Sequence, residues 1–317
     1  MSKNKPCDVL VVGDLNVDLI MNKINKMPQI GEEQRADEMD LVMGGSTAIF
    51  ACNIAKLGSK TEFMSKLGDD SFGRFLLKEM ASNNVGIDSI ITDATLRTGA
   101  TIIFILNNDR MMVTYPGSMK YLTIEEITDD ILGSARHIHT SAIFFQPLLK
   151  SGLAKLFSRA KELGLTTSMD TQWDPEEVWD LDLEKVLPNL DFFLPNEEEF
   201  IHLAGKPDLE SSLKSLADYN TCFVIKRGPK GALMVHKKKR TEIPSAPITK
   251  IVDTIGAGDS FNAGFIHAYL NGKNLDVCLE EGNRTAAVST TSAGGVNGII
   301  SYKQVAEKAD EMRKLKN

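Results

Sequence analysis

The stretch CDVLVVGDLNVDLI, residues 7 to 20, begins as a continuous apolar run and then changes to glycine and acids. Such a run is typical of a parallel strand buried on both faces. Similar runs recur, with helical patterns between them, at HIHTSAIFF (137–145), TTSMD (166–170), DFFLP (191–195) and CFVIK (222–226). This alternation predicts an α/β fold with a doubly wound, mostly parallel sheet flanked by helices, and ligands at the carboxyl ends of its strands.

Two stretches, about 16–43 and 97–117, do not fit the alternation. The second has β-rich arms around NND at 107–109 and is predicted to form a hairpin. Together they predict a small β-sheet inserted into a single domain that spans residues 1–317. A sheet too small to bury both faces would serve as a lid or as a dimer contact. The alternative is an edge extension of the main sheet.

Composition excludes several classes of protein. The chain has 317 residues, of which 42% are hydrophobic and 25% charged, as in ordinary globular proteins. A formal net charge of -7 and the absence of any basic block longer than KKKR argue against nucleic-acid binding. No apolar run approaches the roughly 18 residues of a membrane span, and acids flank the first run, unlike in a signal peptide. We therefore expect a cytoplasmic protein with no membrane partner.

The stretch DTIGAGDSFNAGF, residues 253–265, carries the strongest chemical signal. Gly256, Ala257 and Gly258 immediately precede an acid, Asp259, and a helical pattern that we expect to begin there. Backbone N–H groups and the helix dipole converge at such a point and bind an anion. Asp259 can face the same point and accept a proton from an attacking hydroxyl.

This stretch resembles the C-terminal signature of the ribokinase-like (PfkB) family of carbohydrate kinases, DTxGAGD followed by a helix. The resemblance implies that Asp259 is the catalytic base and that Gly256 to Asp259 form an anion hole. It also implies that Asp253 and Ile255 hold an activating monovalent cation, usually potassium, with Ile255 contributing its carbonyl group.

Two further stretches match the acceptor side of the same family. GGSTAIFACNIAKLG, residues 44–58, resembles the N-terminal pattern GGxxxNxAxxxxRLG, in which Gly44 and Gly45 match the hinge pair that permits lid closure. Ile49 stands where the family usually has a substrate-binding Asn. In GDLNVD, Asn16 and Asp18 match the family's substrate-binding Asn and Asp.

The PNEEEF stretch, residues 195–200, has two compatible explanations. Asn196 and Glu199 form a good capping box by spacing alone. The family has NxxE here, which implies that Asn196 lies near the nucleotide phosphates and that Glu199 orients water around Mg²⁺.

The remaining nucleotide-side residues come from two stretches. KRGPKGA, residues 226–232, resembles the family's nucleotide-binding loop, with Gly228 and Gly231 at the expected spacing and Lys226 where Thr is frequent. NRTAAVSTTSAGG, residues 283–295, resembles the adenine-side helix and the following loop, which places Asn283 near adenine and Gly294 near the monovalent cation.

Two other features have simpler interpretations. His137 and His139 alternate within a predicted strand, and without a third ligand they are interpreted as structural. SMDTQWDPEEVW, residues 168–179, resembles the region after a central strand in sugar kinases, where Gln172 and Trp173 could shape a ligand pocket. Trp173 could equally be a cover of the core.

The implied reaction is transfer of the ATP γ-phosphate to a hydroxymethyl group of a small sugar or polyol, with Mg²⁺ on the phosphates. A nucleoside kinase is the first alternative, because a flat base would suit Ile49, Phe104, Met112 and Tyr115. A sugar-phosphate kinase would need several cations, for which the candidates are Arg97, Arg110 and Lys120.

Two other classes of protein fit less well. A ligand-binding regulator without catalysis has no need of a base such as Asp259. A nicotinamide-dependent dehydrogenase requires GxGxxG after the first strand, where this chain has GDLNVD. The identity of the acceptor, the effect of Ile49, the pathway and the oligomeric state stay open, although an apolar outer face on the lid would favour a homodimer.

Overall fold

The computed structural model describes residues 5–106, 109–248 and 250–316. Asn107 and Asn108, within the predicted NND turn, lie outside these ranges. The main sheet has the strand order β15-β14-β13-β12-β11-β10-β1-β4-β6. Its strands are Cys7–Gly13 (β1), Thr61–Met64 (β4), Val85–Gly86 (β6), Ala135–Ser141 (β10), Thr166–Met169 (β11), Phe192–Phe193 (β12), Cys222–Lys226 (β13), Ala232–His236 (β14) and Lys239–Ile243 (β15).

Neighbouring strands from β6 to β13 run parallel, and β14 and β15 add an antiparallel edge. The helices that cover the sheet and follow it are Ser46–Lys56 (α1), Ser71–Ser82 (α2), Asp129–Gly133 (α3), Pro147–Glu162 (α4), Leu183–Val186 (α5), Glu197–Ala204 (α6), Leu209–Ser215 (α7), Ala257–Leu270 (α8), Leu275–Ser289 (α9) and Tyr302–Lys316 (α10).

A separate small sheet has the order β3-β2-β8-β9. Its strands are Asn16–Ile24 (β2), Ala36–Gly44 (β3), Gly99–Leu106 (β8) and Asp109–Tyr115 (β9). A third, two-stranded sheet pairs Lys66–Gly68 (β5) with Ile91–Asp93 (β7). The small sheet is distinct from the main one, so the edge-extension alternative is wrong for the two inserted stretches.

Apolar side chains form a core on each face of the main sheet. On β1, Val9 and Val11 pack in the cluster that includes α1 and α8, whereas Leu10 and Val12 pack in the cluster that includes α4. All four side chains are fully buried. Strand alternation therefore explains why this segment is apolar at every position, since both faces meet a helical layer.

The predicted doubly wound α/β fold with a small β-sheet lid is confirmed. One boundary differs, because α8 begins at Ala257 rather than at Asp259. The difference puts Ala257 and Gly258 in the first helical turn with Asp259.

His137 and His139 are buried in β10, where both bind the Ser168 hydroxyl at 2.7 Å. Within the described ranges, no helix has the length and apolarity needed to cross a bilayer.

Candidate active site

The amino end of α8 has backbone N–H groups without an acceptor in the described residues. Gly256 precedes it with φ of 69°, and a Cβ atom there would come within 2.8 Å of the Gly295 Cα. Ala257 donates its N–H to the Thr254 carbonyl at 3.2 Å. The N–H groups of Gly258 and Asp259 have no backbone acceptor in the described residues. This end of a 14-residue helix therefore offers unpaired donors and a positive dipole to an anion.

Asp259 is buried on that first turn, where Ser46 Oγ donates a hydrogen bond to its Oδ1. The pKa of Asp259 is raised to about 7, mainly by burial and also by the charges of Asp170 and Asp14, against the Ser46 hydroxyl and Lys226, which lower it. A carboxyl group with this pKa can exchange a proton near neutral pH, as a general base must.

Asp14 fixes the amino end of α1. Its carboxylate accepts the N–H groups of Ser46 and Thr47, each at 2.9 Å, and the Thr47 hydroxyl. The Ser141 hydroxyl lies 3.0 Å from both the Thr47 Oγ1 and the Ser46 Oγ. A chain of three hydroxyl groups thus links Asp14 to Asp259. Asp14 and Ser46 lie within the quoted stretches GDLNVD and GGSTAIFACNIAKLG, but sequence reasoning missed them because it assigned roles only to other positions in those stretches.

Asn16 and Asp18 lie on the first strand of the lid, opposite Thr101 of β8. Asn16 Nδ2 donates to Asp18 Oδ1 at 2.8 Å and to Thr101 Oγ1 at 3.1 Å. A Cβ atom at Gly44 would overlap the Asp18 carboxylate, so this position requires glycine. Burial, together with the smaller effect of the Asp14 charge, raises the pKa of Asp18 to about 6. The group is a preorganised acceptor for the hydroxyl groups of a ligand.

Lys226 ends β13 beside the amino end of α8. Its ammonium group forms a salt bridge with Asp170 and lies 3.4 Å from the site where Gly258 would carry a Cβ atom. Asn262 Nδ2 donates to the same Asp170 oxygen at 2.6 Å. Burial opposes the charged ammonium group, but Asp170, Glu199 and Asp259 together hold the pKa of Lys226 above its usual value. Neither Asp170 nor Asn262 was expected from the sequence.

Asn196 and Glu199 form the predicted capping box of α6. The Asn196 side chain accepts the Glu199 N–H at 2.9 Å, and Glu199 Oε2 accepts the Asn196 N–H at 3.0 Å. Burial, followed by the charge of Asp170, raises the pKa of Glu199 to about 7. The capping role and a role toward a ligand are compatible, because Glu199 also lines the larger of the cavities described below.

Asp253, Ile255 and Gly294 lie together beside α8. Asp253 Oδ1 accepts the Ile255 N–H and Oδ2 accepts the Gly294 N–H, both at 2.9 Å. The structure therefore brings the three predicted cation residues to one place, with the carboxylate oriented by two backbone donors. Their binding of a monovalent cation stays a prediction.

Two cavities border the first turn of α8, one lined by Ala257 and Gly258 and the other by Gly256 and Asp259. The smaller, of about 420 Å³, is bounded by Lys226, Gly228, Gly231, Ala257, Gly258, Phe261, Asn283, Ala286 and residues 245–248 among others. The larger, of about 650 Å³, is bounded by Asp14, Asn16, Asp18, Gly45, Ser46, Ile49, Thr101, Ile103, Arg110, Met112, Thr114, Met119, Phe145, Gln172, Trp173, Pro175, Glu199, Ile255, Gly256 and Asp259. We call these the nucleotide cavity and the acceptor cavity.

Four of the predicted nucleotide-side residues, Lys226, Gly228, Gly231 and Asn283, line the nucleotide cavity. Asn283 Nδ2 donates to the Pro244 carbonyl at 2.6 Å, which ties α9 to the chain leaving β15. Asn196 lines neither cavity and instead pairs with Lys226 through a β-bridge. Gly44 is also behind the cavity wall, in contact with Asp18.

Comparison with known proteins agrees with this geometry. Residues 7–301 match the model of the pfkB family carbohydrate kinases. The chain belongs to this family. An uncharacterized sugar kinase from Archaeoglobus fulgidus is 32% identical and covers 78% of this chain and 97% of its own. A deoxyribokinase from Salmonella typhi is 27% identical over 95% of this chain and 98% of its own.

Solved structures show the same fold for this pfkB family kinase. A ribokinase from Thermotoga maritima superimposes with a TM-score of 0.83 at 26% identity, covering 96% of this chain and 99% of its own. A ribokinase from Arabidopsis thaliana, solved with ribose and ATP, has a TM-score of 0.84 at 22% identity, covering 96% and 98%.

Only some of the candidate specificity residues of this pfkB kinase line the acceptor cavity. Ile49 and Met112 line it, whereas Phe104 and Tyr115 do not, because alternation along β8 and β9 turns them to the other face of the lid. Of the three candidate cations only Arg110 lines the cavity. Neither the full apolar pocket nor the cation cluster that was expected for the alternatives is therefore assembled by the described residues.

Proposed function

We propose that this kinase transfers the γ-phosphate of ATP to a hydroxymethyl group of a small sugar or polyol. The supporting observation is that both cavities border the first turn of α8, where Gly258 lines the nucleotide cavity and Asp259 the acceptor cavity. Phosphoryl transfer requires this arrangement, with a base on one side of an anion site and the donor on the other.

Each residue has a defined task in this reaction. Asn16 and Asp18 hold neighbouring hydroxyl groups of the acceptor, and Asp259 accepts the proton of the hydroxyl that attacks phosphorus. The bond between the acceptor oxygen and the γ-phosphorus forms as the bond from that phosphorus to the leaving ADP breaks. The N–H groups of Gly258 and Asp259, together with the Lys226 ammonium group, stabilise the negative charge on the transferred group.

The same proposal includes Mg²⁺ and a monovalent cation. Three related kinases were solved with ATP, one of them with Mg²⁺ as well. Mg²⁺ would neutralise phosphate charge, and Glu199 would hold it through water, since magnesium commonly keeps several of its waters. Asp253, Ile255 and Gly294 would hold K⁺ beside the anion hole, with Ile255 contributing its carbonyl group.

We further propose that the lid forms a homodimer contact. Its outer face exposes Met39, Leu41, Met111, Val113 and Tyr115. Contiguous exposed apolar surface of this kind is typical of interaction sites. Sedimentation at two protein concentrations should detect a dimer, and a Val113→Glu variant should be monomeric.

Turnover of ATP with Mg²⁺ and K⁺ tests the catalytic proposal. The acceptor panel contains ribose, deoxyribose, fructose, inositol, 2-keto-3-deoxygluconate, ribose 5-phosphate and adenosine. Turnover that is lost in Asp259→Asn supports the proposal. Turnover that survives this substitution would exclude Asp259 as the base, and omission of K⁺ tests the cation site.

A further inference from the structure

The segment from Asp170 to Trp179, here called the acceptor loop, follows β11 and enters the acceptor cavity. Gln172, Trp173 and Pro175 line that cavity directly. The loop contains neither helix nor strand, yet it carries the largest side chain in the cavity wall. Loops of this kind at the carboxyl ends of strands commonly determine which ligand is bound.

Hydrogen bonds anchor the acceptor loop at both ends. Asp170 is held by Lys226 and by Asn262 of α8, so its start is tied to the phosphate side of the site. The buried Asp174 carboxylate accepts the N–H groups of Glu176, Val178 and Trp179 at 3.0, 3.0 and 2.7 Å. These bonds fix the backbone on either side of Gln172 and Trp173.

Aromatic contacts hold the Trp173 indole in place. Trp179 meets it edge to face with ring centroids 5.0 Å apart, and His202 does so at 5.6 Å. Trp179 in turn stacks on His202 at 4.8 Å and an interplanar angle of 6°. Despite these contacts Trp173 stays 42% exposed. Trp173 therefore does not cover the core. Its indole is an apolar surface, held by aromatic contacts, that lines a polar cavity.

Gln172 has a backbone conformation that is unusual for its type. Its φ is 60°, in the left-handed region that costs a non-glycine residue about 1 kcal/mol or more. No group in the described part of the chain hydrogen-bonds its side-chain amide. Strained residues of this kind cluster at ligand sites, where the surrounding structure holds them for binding.

Charge in the acceptor cavity restricts the ligand further. Asp14, Asp18, Glu199 and Asp259 line it, and among its described lining residues Arg110 is the one lysine or arginine. An anionic acceptor would add negative charge beside carboxyl groups that are themselves buried, as Asp14, Glu199 and Asp259 are, and like charges repel there more strongly than in water.

We propose that the acceptor is an uncharged cyclic carbohydrate, which lays a C–H face of its ring on Trp173 and hydrogen-bonds to Gln172. Sugar acids and sugar phosphates are excluded as preferred acceptors. This inference rests on the kinase activity proposed above and names the class of substrate for the same site.

Binding can be measured without turnover, because the chain has only two tryptophans. Trp179→Phe leaves Trp173 as the sole indole, and its fluorescence is titrated with ribose, deoxyribose, fructose and inositol, then with ribonate and ribose 5-phosphate. A saturable change with ribose and none with ribose 5-phosphate, which keeps the ring and adds charge, supports the inference. A change with either anion at concentrations as low as those needed for the neutral rings, or a change with none of these compounds, overturns it.

Kinetics with the same compounds provide the second test. Trp173→Ala should raise the KM for a neutral ring about tenfold, with a smaller change in kcat, and Trp173→Phe should restore most of it. Val178→Ala is the matched control, because Val178 is on the same loop but 65% exposed and outside the cavity wall. A Trp173→Ala KM equal to that of the wild type would overturn the inference.

Failure of the two proposals is distinguishable. If no compound is phosphorylated but Trp173 responds to neutral rings, the kinase activity fails on this panel and the binding inference stands. If an anionic sugar is the best acceptor, the kinase activity stands and the inference fails.

Discussion

Ser46 donates a hydrogen bond to Asp259, although 213 positions separate them in the chain. The bond joins the amino end of α1, which follows Gly45, to that of α8, which follows Gly256. It is one of the effects that lower the pKa of Asp259, against the larger effect of burial. The hydroxyl group thus helps to keep the base ionised near neutral pH.

Ser46→Ala should shift the pH dependence of the reaction. In the wild type, kcat/KM should rise with pH through about 7, because the ionised Asp259 is the active form. Loss of one hydrogen-bond donor to the Asp259 carboxylate should raise its pKa and so move this rise in kcat/KM to a pH about one unit higher. Thr140→Val, which removes a buried hydroxyl group next to Ser141, is the control and should leave the profile unchanged. Identical profiles for Ser46→Ala and the wild type would contradict the prediction.

Asp259→Asn should abolish turnover and increase stability at alkaline pH. The folded protein raises this pKa to about 7, so it retains a proton that the unfolded chain releases at lower pH. Stability therefore falls as pH rises from about 4 to about 7, and the cost is fully present above that range. The variant should gain on the order of 2 kcal/mol at pH 8 and little at pH 4. Urea unfolding at both pH values checks this, and an equal gain at both would contradict it.

Much of this site could be predicted from the sequence, because local patterns specify it. The small residues before Asp259 predict a helix terminus with free donors, and the spacing of Asn196 and Glu199 predicts the capping box that the structure contains. The signature motifs also predicted that residues far apart in the chain, such as Asp253 and Gly294, lie close together.

Other contacts between distant stretches could not be predicted from the sequence. Nothing local indicates that Asp170 meets Lys226, since the pairing depends on β11 and β13 lying on either side of β12. The facing of side chains on the lid strands could not be predicted from the sequence either. Whether Met112 or Tyr115 faces the cavity depends on register, and a shift of one residue exchanges the two faces.

Gly44→Ala should weaken acceptor binding selectively. The added methyl group would overlap the Asp18 carboxylate and displace it from Asn16. We expect the KM for the acceptor to rise at least about tenfold, with the KM for ATP nearly unchanged. Gly133→Ala is the matched control, because a Cβ atom there would meet no atom within 4 Å from any described part of the chain outside its own helical turn. A larger effect on ATP than on the acceptor would contradict the assignment of Asp18.

Lys226→Met should lower both stability and activity. It leaves Asp170 buried without its cation, and removal of one partner of a buried pair costs about 3 kcal/mol. Asp170→Asn removes the other partner, and the double variant should lose less stability than the two single losses combined. Urea unfolding of all four proteins gives the coupling energy. Additive losses would show that the two side chains have no coupling energy, which would contradict the prediction.

Ile49→Asn tests the position at which this chain departs from its family. Ile49 is buried, and its side chain lies against Gly256 and Gly295, where Cβ atoms would come within 2.9 and 2.7 Å of it. An amide in this apolar contact would lack its full set of partners, so we expect a loss of about 2 kcal/mol in stability. Ile49→Val, which keeps the apolar contact, should lose only about 1 kcal/mol. Acceptor KM should not improve in Ile49→Asn, because the space between Gly256 and Gly295 is shaped for an aliphatic side chain; a lower KM would show that the cavity still accommodates the family's usual asparagine.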